Sequence, residues 1–482
     1  MSEDKRFDLE LQEQLADFDL SALPEEERVE PTPWQRTASR LVWGLGLSTI
    51  TLNALHLDVI LPAIGMLLLV QAFRPLRREN DWLRLCGGLA WALCAMRFAV
   101  MVADATLLPE WQHYPILQTA LAVTAGGTWL VFYFSLWRGL LAVGRKAGQE
   151  QPSASGAAML LVWYSLLSVL ALAGVERLGW FFGLLLVAIY YFILRSLRKI
   201  VLFFEANGYV LQPAPVRVAD RALLLTGLAA LLCAILLALQ LGTRYSMDWQ
   251  VRPAEEQAGC EEIVEELCAL GLPEDMAADL TAEELAVLAG AERVLLGVGD
   301  SFTTEDGGKL LCRSAAIQLQ GEERWVFLQH FLWEELPRRR STEALRITLP
   351  YEEYVPNGLV YFAADEALPE RVRLLYDEGE TTFTTSPELV PTTKQSWFGD
   401  EYTTRYAAWS LPRQGTAARG YLLYGLYRLD DASVVTVTDY IHNQRAVYPY
   451  LSAREYDARG FWGPNPKFRT MQYQMYFDYE NL

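Results

Sequence analysis

Histidine is scarce in this chain: His56, His113, His330 and His442 are the only four in 482 residues. No HExxH pair, Cys/His ligand cluster, P-loop, GxGxxG or GxSxG stretch occurs, so the usual marks of zinc, nucleotide and nucleophilic-serine chemistry are missing. No catalytic, cofactor-binding or metal-ligating residue is therefore assigned. The nearest approach to a catalytic grouping is "TDYIHNQR". On a strand, Asp439 and Ile441 would face one way and Tyr440 and His442 the other, which separates carboxylate from imidazole. An excess of basic residues is also lacking. With 41 Lys+Arg against 59 Asp+Glu the formal net charge is −18, and nucleic acid is excluded as a partner because it requires a basic face.

Cysteine is too sparse and too scattered for a disulfide framework. Cys86, Cys94 and Cys233 fall in apolar runs, and Cys260, Cys268 and Cys312 fall outside them. In "CEEIVEELCAL" the positions Cys260, Ile263, Val264, Leu267 and Cys268 repeat at helical spacing. Eight residues of helix separate the two thiols by about 12 Å, too far for a bridge. A bridge from Cys268 to Cys312 stays open.

Long apolar runs are what the sequence does have. Hydrophobic residues make up 52% of the chain and are concentrated between Trp34 and Leu241. The expected organisation is an acidic cytoplasmic tail (1–37), a seven-span transmembrane region (38–242), a short helical juxtamembrane element (243–300) and a β domain (301–482). The spans are placed at about 38–54, 57–73, 85–106, 115–137, 157–174, 177–196 and 221–242. Cations mark the inner loops: Arg36 and Arg40, then Arg74, Arg77, Arg78 and Arg84, then Arg138, Arg145 and Lys146, then Arg195, Arg198, Lys199, Arg217 and Arg221. With an odd number of spans, this asymmetry makes the protein a multi-pass cell-membrane protein with its N-terminus in the cytoplasm and its C-terminal domain outside. Trp34 is expected as an interfacial anchor.

One charge sits inside an apolar run. In "CAMRFAVMVADA", Arg97 lies about 18 Å into its span and Asp104 about 10 Å further on. Side chains on a helix lean toward its N-terminus, which carries Arg97 away from the nearer water, so a partner within the bundle is expected. Asp104, Asp58, His56 and carbonyls of the first hairpin are the candidates. Two readings follow: a staple between helices, or an ion or substrate path of the kind a transporter carries.

Beyond the last run, Thr281 and Glu284 form a capping-box pattern, after a helix that stops at Gly271 and Pro273. The segment "CALGLPEDMAADLTAEELAVLAGAERV", with leucine, proline and acidic residues ahead of a "DLT-x-EE" step, resembles a recurring stretch in uncharacterised multi-span membrane proteins of Gram-positive bacteria that have a C-terminal extracytoplasmic domain. The resemblance covers residues 268–294 and implies that architecture without an activity.

From Lys309 the hydrophobic period becomes two. "RWVFLQHFLW" puts Trp325, Phe327, Phe331 and Trp333 on one face, "RVRLLYDEGETTFTT" reads as a hairpin turning at Asp377 to Gly379, and "GYLLYGLYRLDDASVVTVTDYI" as two strands around Asp430 and Asp431. The fold expected is a membrane α-helical bundle followed by an antiparallel sandwich or jelly-roll-like β domain. Aromatics crowd its last ninety or so residues, and Trp397, Phe461 and Trp462 are the candidates for an exposed binding surface. The function expected is binding or sensing in the bacterial envelope through the outer β domain. The partners would be the bilayer, a protein or cell-wall glycan outside, and a cytoplasmic protein at the acidic tail. A transporter or channel-like protein built on the Arg97 region and an exported hydrolase are the alternatives.

Overall fold

The computed structural model describes residues 32–49, 57–108, 115–172, 180–216, 218–319, 323–349, 362–395, 401–428, 434–459 and 467–477. Two compact units emerge, one formed by residues up to Ala99 and by Ile116–Ala229, the other by Val100–Pro115 and Ala230–Leu482.

Among the described residues the N-terminal half is helical: α1 (Pro33–Thr49), α2 (Leu57–Leu76), α3 (Asp81–Ala103), α4 (Pro115–Lys146), α5 (Ser155–Leu172), α6 (Trp180–Ala206) and α7 (Asp220–Leu241). Among the described residues four stretches are long and apolar enough to cross a membrane, namely Asp58–Leu76, Asp81–Ala103, Thr119–Lys146 and Asp220–Leu241. The expectation of seven spans is not supported. The helix α1 has 17 residues and carries Gln35, Arg36 and Arg40, α5 is apolar but short, and the apolar run of α6 is broken by Arg195, Arg198 and Lys199. Apolar side chains point outward on these helices. Leu225, Leu232, Leu236 and Leu237 of α7 are 57–67% exposed, a surface that water would not tolerate over such an area and lipid would.

Small residues let α1 and α2 meet closely. A methyl group on Gly65 would lie 2.7 Å from the Ser48 nitrogen and 2.8 Å from the Gly44 carbonyl, so only glycine permits this approach. Charge gathers at one end of the same unit, where Asp220 takes Arg40 at 2.6 Å and Arg74 at 2.8 Å. Trp34 is not an interfacial anchor. It is buried, packed on Phe204 and Tyr209, and its indole donates to the Tyr209 carbonyl at 2.9 Å.

The second unit contains a β-sandwich. One antiparallel sheet runs β1 (Gln250–Val251), β9 (Thr381–Thr385), β8 (Arg371–Glu378), β12 (Thr416–Arg428), β5 (Arg324–Glu335), β4 (Lys309–Leu319), β2 (Ala291–Leu296), with β3 (Asp300–Thr303) on β4 and β7 (Phe362–Ala364) on β12. The other runs β10 (Leu389–Gln395), β11 (Glu401–Ser410), β6 (Thr342–Thr348), β13 (Val434–Asn443), β14 (Phe468–Phe477). Alternation in β5 sends Trp325, Phe327, Phe331 and Trp333 into the core between the sheets. There Phe331 stacks on Trp409 at 5.6 Å and meets the edge of Tyr440 at 5.0 Å. Val326 and Leu328 point the other way, under a cap of α8 (Glu261–Ala269), α9 (Glu274–Asp279) and α10 (Ala282–Leu288). The capping box of α10 is present, with Thr281 and Glu284 bonding each other's backbone N–H. On the outside of the second sheet lies α11 (Ala453–Ala458).

Within 243–300, β1 precedes the helices, β2 follows them, and the helices complete a core on the first sheet. The two strands on either side of Asp430 and Asp431 belong to different sheets, β12 to the first and β13 to the second. The hairpin of β8 and β9 turns where expected, closing Glu378 on Thr381 with Gly379 at φ +63°. Cys86, Cys94, Cys260 and Cys312 are buried and all six cysteines are free, Cys268 and Cys312 included.

Candidate functional site

Charged side chains in the sandwich are organised as rows across strands. Register aligns Arg313 of β4, His330 of β5, Tyr421 of β12 and Arg373 of β8 side by side on the face beneath the helical cap. The cap supplies acids to meet them. Asp279, at the end of α9, lies 2.9 Å from His330 Nε2 and 2.8 Å from Arg419 Nε. Asp275 pairs with Arg313, Glu256 lies 2.5 Å from Arg373, and Glu284 accepts the Tyr421 hydroxyl at 2.6 Å. Burial opposes the charge on Asp279, yet His330 and Arg419 hold its carboxyl below the ordinary range.

The second sheet repeats the device on its outer face, where Tyr406, Arg346, Asp439 and Gln472 stand in one row across β11, β6, β13 and β14. Arg346 reaches Asp439 at 2.5 Å and Asp457 of α11 at 2.9 Å. As the alternation predicts, Tyr440 and His442 lie on the opposite, inner face. His442 Nδ1 is 2.7 Å from Glu343 and its Nε2 is 3.3 Å from Asp306. Burial disfavours the imidazolium, but these two carboxylates outweigh it and push the His442 pKa up to about 9. His330, His442 and Glu343 are fully buried, so these clusters bind layer to layer instead of presenting reactive groups. Among the described residues no group of His, Cys, Asp and Glu has a metal-holding arrangement.

The most distinctive arrangement is a joint where α3 and α7 end. Beyond Ala103 the chain turns, and the Leu107 N–H donates to the Gly242 carbonyl at 2.9 Å. Gly242 is required at this crossing, since a Cβ there would come within 2.5 Å of Thr106. The sandwich holds both ends through one residue. The Tyr450 N–H donates to the Asp104 carbonyl at 2.7 Å, and the Tyr450 hydroxyl donates to the Thr243 carbonyl at 2.9 Å. Arg244 adds bonds to the carbonyls of Arg340 and Leu411, and the Tyr245 N–H donates to Ser410 Oγ at 2.9 Å.

Arg97 finds its partner elsewhere. Its guanidinium donates to the main-chain carbonyls of Asp58 at 3.0 Å and Val59 at 3.3 Å. Arg97 and Asp58 are therefore brought together, but through the backbone of α2, while Asp104 contributes its carbonyl to the joint. Trp397, Phe461, Trp462 and His56 lie outside the described residues. Of the other aromatics in the last ninety residues, Trp409, Tyr421, Tyr424, Tyr440 and Tyr450 are buried in the sandwich. The joint has no signal in the sequence because its contacts, mostly to main-chain acceptors, join residues far apart, from 96 positions for Arg244 and Arg340 to 207 for Tyr450 and Thr243.

No family model matches the chain, and no curated protein does. Among solved structures, the membrane-inserted form of the Clostridium perfringens NetB toxin aligns at 8% identity with a TM-score of 0.14, over 31% of this chain and 84% of the toxin. A likeness at that score supports no conclusion about fold or activity.

Proposed function

We propose that this chain is an integral membrane protein of the bacterial envelope whose sandwich domain lies outside the cytoplasm, binds a protein or wall component there, and transmits that occupancy to helices α3 and α7. The observation that carries this reading is the joint at Tyr450. A domain serving only as a tethered binder would need a loose linker, whereas here both helix ends are hydrogen-bonded to the sandwich. Arg217 and Arg221 lie at the start of α7 in the sequence and favour the cytoplasm for that end, which supports the reading that Leu241 and the sandwich are outside. The resemblance of residues 268–294 to segments of Gram-positive multi-span proteins agrees with that setting.

The test has two arms. A cysteine placed at Gly379 should be labelled by an impermeant reagent in intact protoplasts, and one at Gln149 should not; reversed labelling would move the sandwich to the cytoplasm. Purified full-length protein should then co-sediment with cell-wall sacculi, and sacculi should slow hydrogen exchange at residues 104–107 and 242–245. Sedimentation without any change at these amides would leave a binder and remove the relay.

A further inference from the structure

Arginine in the sandwich unit ordinarily meets a carboxylate. Arg252 pairs with Glu256, Arg313 with Asp275, Arg324 with Asp365, Arg346 with Asp439, Arg373 with Glu256 and Arg419 with Asp279. Five arginines at the joint depart from this. Arg244 and Arg340 use their guanidiniums on main-chain carbonyls, of Arg340 and Leu411 in one case and of Pro412 and Arg413 in the other. Arg338, Arg339 and Arg413 complete the group, and among the described residues none of the five has a carboxylate oxygen within ion-pair distance. Asp306 is close in space to the site, but it is already engaged by His442, by Thr304 Oγ1 and by the Arg339 main-chain N–H. The Arg339 Nε is buried without a partner. Burial, together with the proximity of Arg413 and Arg340, presses the Arg244 pKa down.

Arg413 and Arg340 repel Arg244, which Glu343 attracts in part, and Asp306 attracts Arg339 without bonding its guanidinium. In a chain of net charge −18 this cluster still holds cations with no bonded carboxylate, and an anion from outside the protein would supply that contact. Their place in the chain indicates which anion. Arg244 follows the last residue of α7 by three positions, and Leu241, Leu108 and Val447 of the same unit stand 73%, 50% and 43% exposed. Exposed apolar side chains next to guanidiniums make the composition of a surface that meets lipid headgroups and the upper part of their chains. We propose that Arg244, Arg338, Arg339, Arg340 and Arg413 form a seat for the phosphate of an anionic phospholipid headgroup at the bilayer surface. The guanidinium fork suits this role because it bonds phosphate oxygens in pairs and is weakly hydrated. The inference rests on α7 crossing the membrane and is independent of which leaflet the sandwich faces.

The experiment uses the full chain in detergent micelles, titrated with phosphatidylglycerol, with phosphatidylcholine of the same chain length, or with glycerol phosphate, reading the thermal unfolding midpoint. Phosphatidylglycerol alone should raise the midpoint. Arg338→Gln/Arg339→Gln/Arg413→Gln, which spares the two arginines that hold main chain, should weaken the apparent lipid affinity by about two orders of magnitude. Arg413→Gln alone, at an exposed position, should weaken it about fivefold and covers the case in which the triple variant folds poorly. An undiminished phosphatidylglycerol effect in either variant overturns the seat, and an equal effect of glycerol phosphate overturns the lipid as its occupant. Release of the unaltered protein from membranes by alkaline carbonate would instead refute the membrane setting on which the seat depends.

Discussion

The Arg97 guanidinium lies 3.0 Å from the carbonyl oxygen of Asp58, the acceptor that would take an N–H from residue 62 in an unbroken helix, where Pro62 has none. A charged donor from α3 thus fills the vacancy that a proline opens in α2. The cost of a cation in an apolar run and of an orphaned carbonyl are met by one contact.

That relationship yields a double-mutant cycle. Arg97→Leu should destabilise the protein in detergent by about 1–3 kcal/mol. The loss should shrink when Pro62→Ala restores the helical N–H, and Asp58→Asn should change little because the acceptor is main chain. A large loss from Asp58→Asn, with Arg97→Leu unaffected by Pro62→Ala, would return the contact to a carboxylate pair.

The His442 cluster makes stability depend on pH on the alkaline side. Its pKa is raised from 6.5 to about 9, so the imidazolium stabilises the folded state fully below the unfolded value, and that contribution is lost as pH rises through the folded one. The unfolding midpoint should therefore decline between pH 6.5 and 9, and His442→Gln should flatten that decline while lowering stability at neutral pH by stranding Glu343. A midpoint that is level over this window in the unaltered protein would contradict the arrangement.

Asp279 is the acid that His330 and Arg419 share. Replacing it with alanine removes the counter-charge of the half-buried Arg419 and the hydrogen-bond partner of the buried His330 under the helical cap, at a cost of about 3–5 kcal/mol. The loss should appear in thermal unfolding together with faster proteolysis within residues 253–290, and an effect no larger than that of Arg445→Gln, at an exposed pair, would count against a structural role.

Tyr450→Phe removes only the hydroxyl that reaches Thr243. The expected cost is about 0.5–1.5 kcal/mol, and the informative readout is local: amide exchange at residues 242–245 should quicken while the strands stay protected. Equal quickening throughout the sandwich would mean that the residue is core and not a clasp.

The sandwich was legible because its strands carry their burial in a local period. Trp325, Phe327, Phe331 and Trp333 alternate with Val326, Leu328 and His330, and both faces of β5 are occupied as that pattern requires. The capping box at Thr281 was legible for the same reason, since three residues contain the whole signal. The count of spans was not, because apolar content alone cannot distinguish α6, with its three interrupting cations, from α7. Ion pairs across strands were also hidden. Asp279 meets His330 across 51 positions and Arg419 across 140, and nothing in either neighbourhood indicates the other. The arginine triplet at 338–340 stands plainly in the sequence, but its lack of acidic partners appears only when the surrounding residues are placed.

Tyr450 reaches Thr243 across 207 residues, and this separation orders events during synthesis. The carbonyls at the ends of α3 and α7 leave the ribosome long before the tyrosine that binds them. Both helices therefore form before the Tyr450 clasp exists, with only the direct contact of Leu107 and Gly242 available to join their ends until the segment after β13 has folded back. A chain cut short ahead of that segment would keep its apolar helices and its first sheet strands through β12, yet the Asp104 and Thr243 carbonyls would lose their Tyr450 donors, so late truncations should quicken amide exchange at residues 104–107 and 242–245.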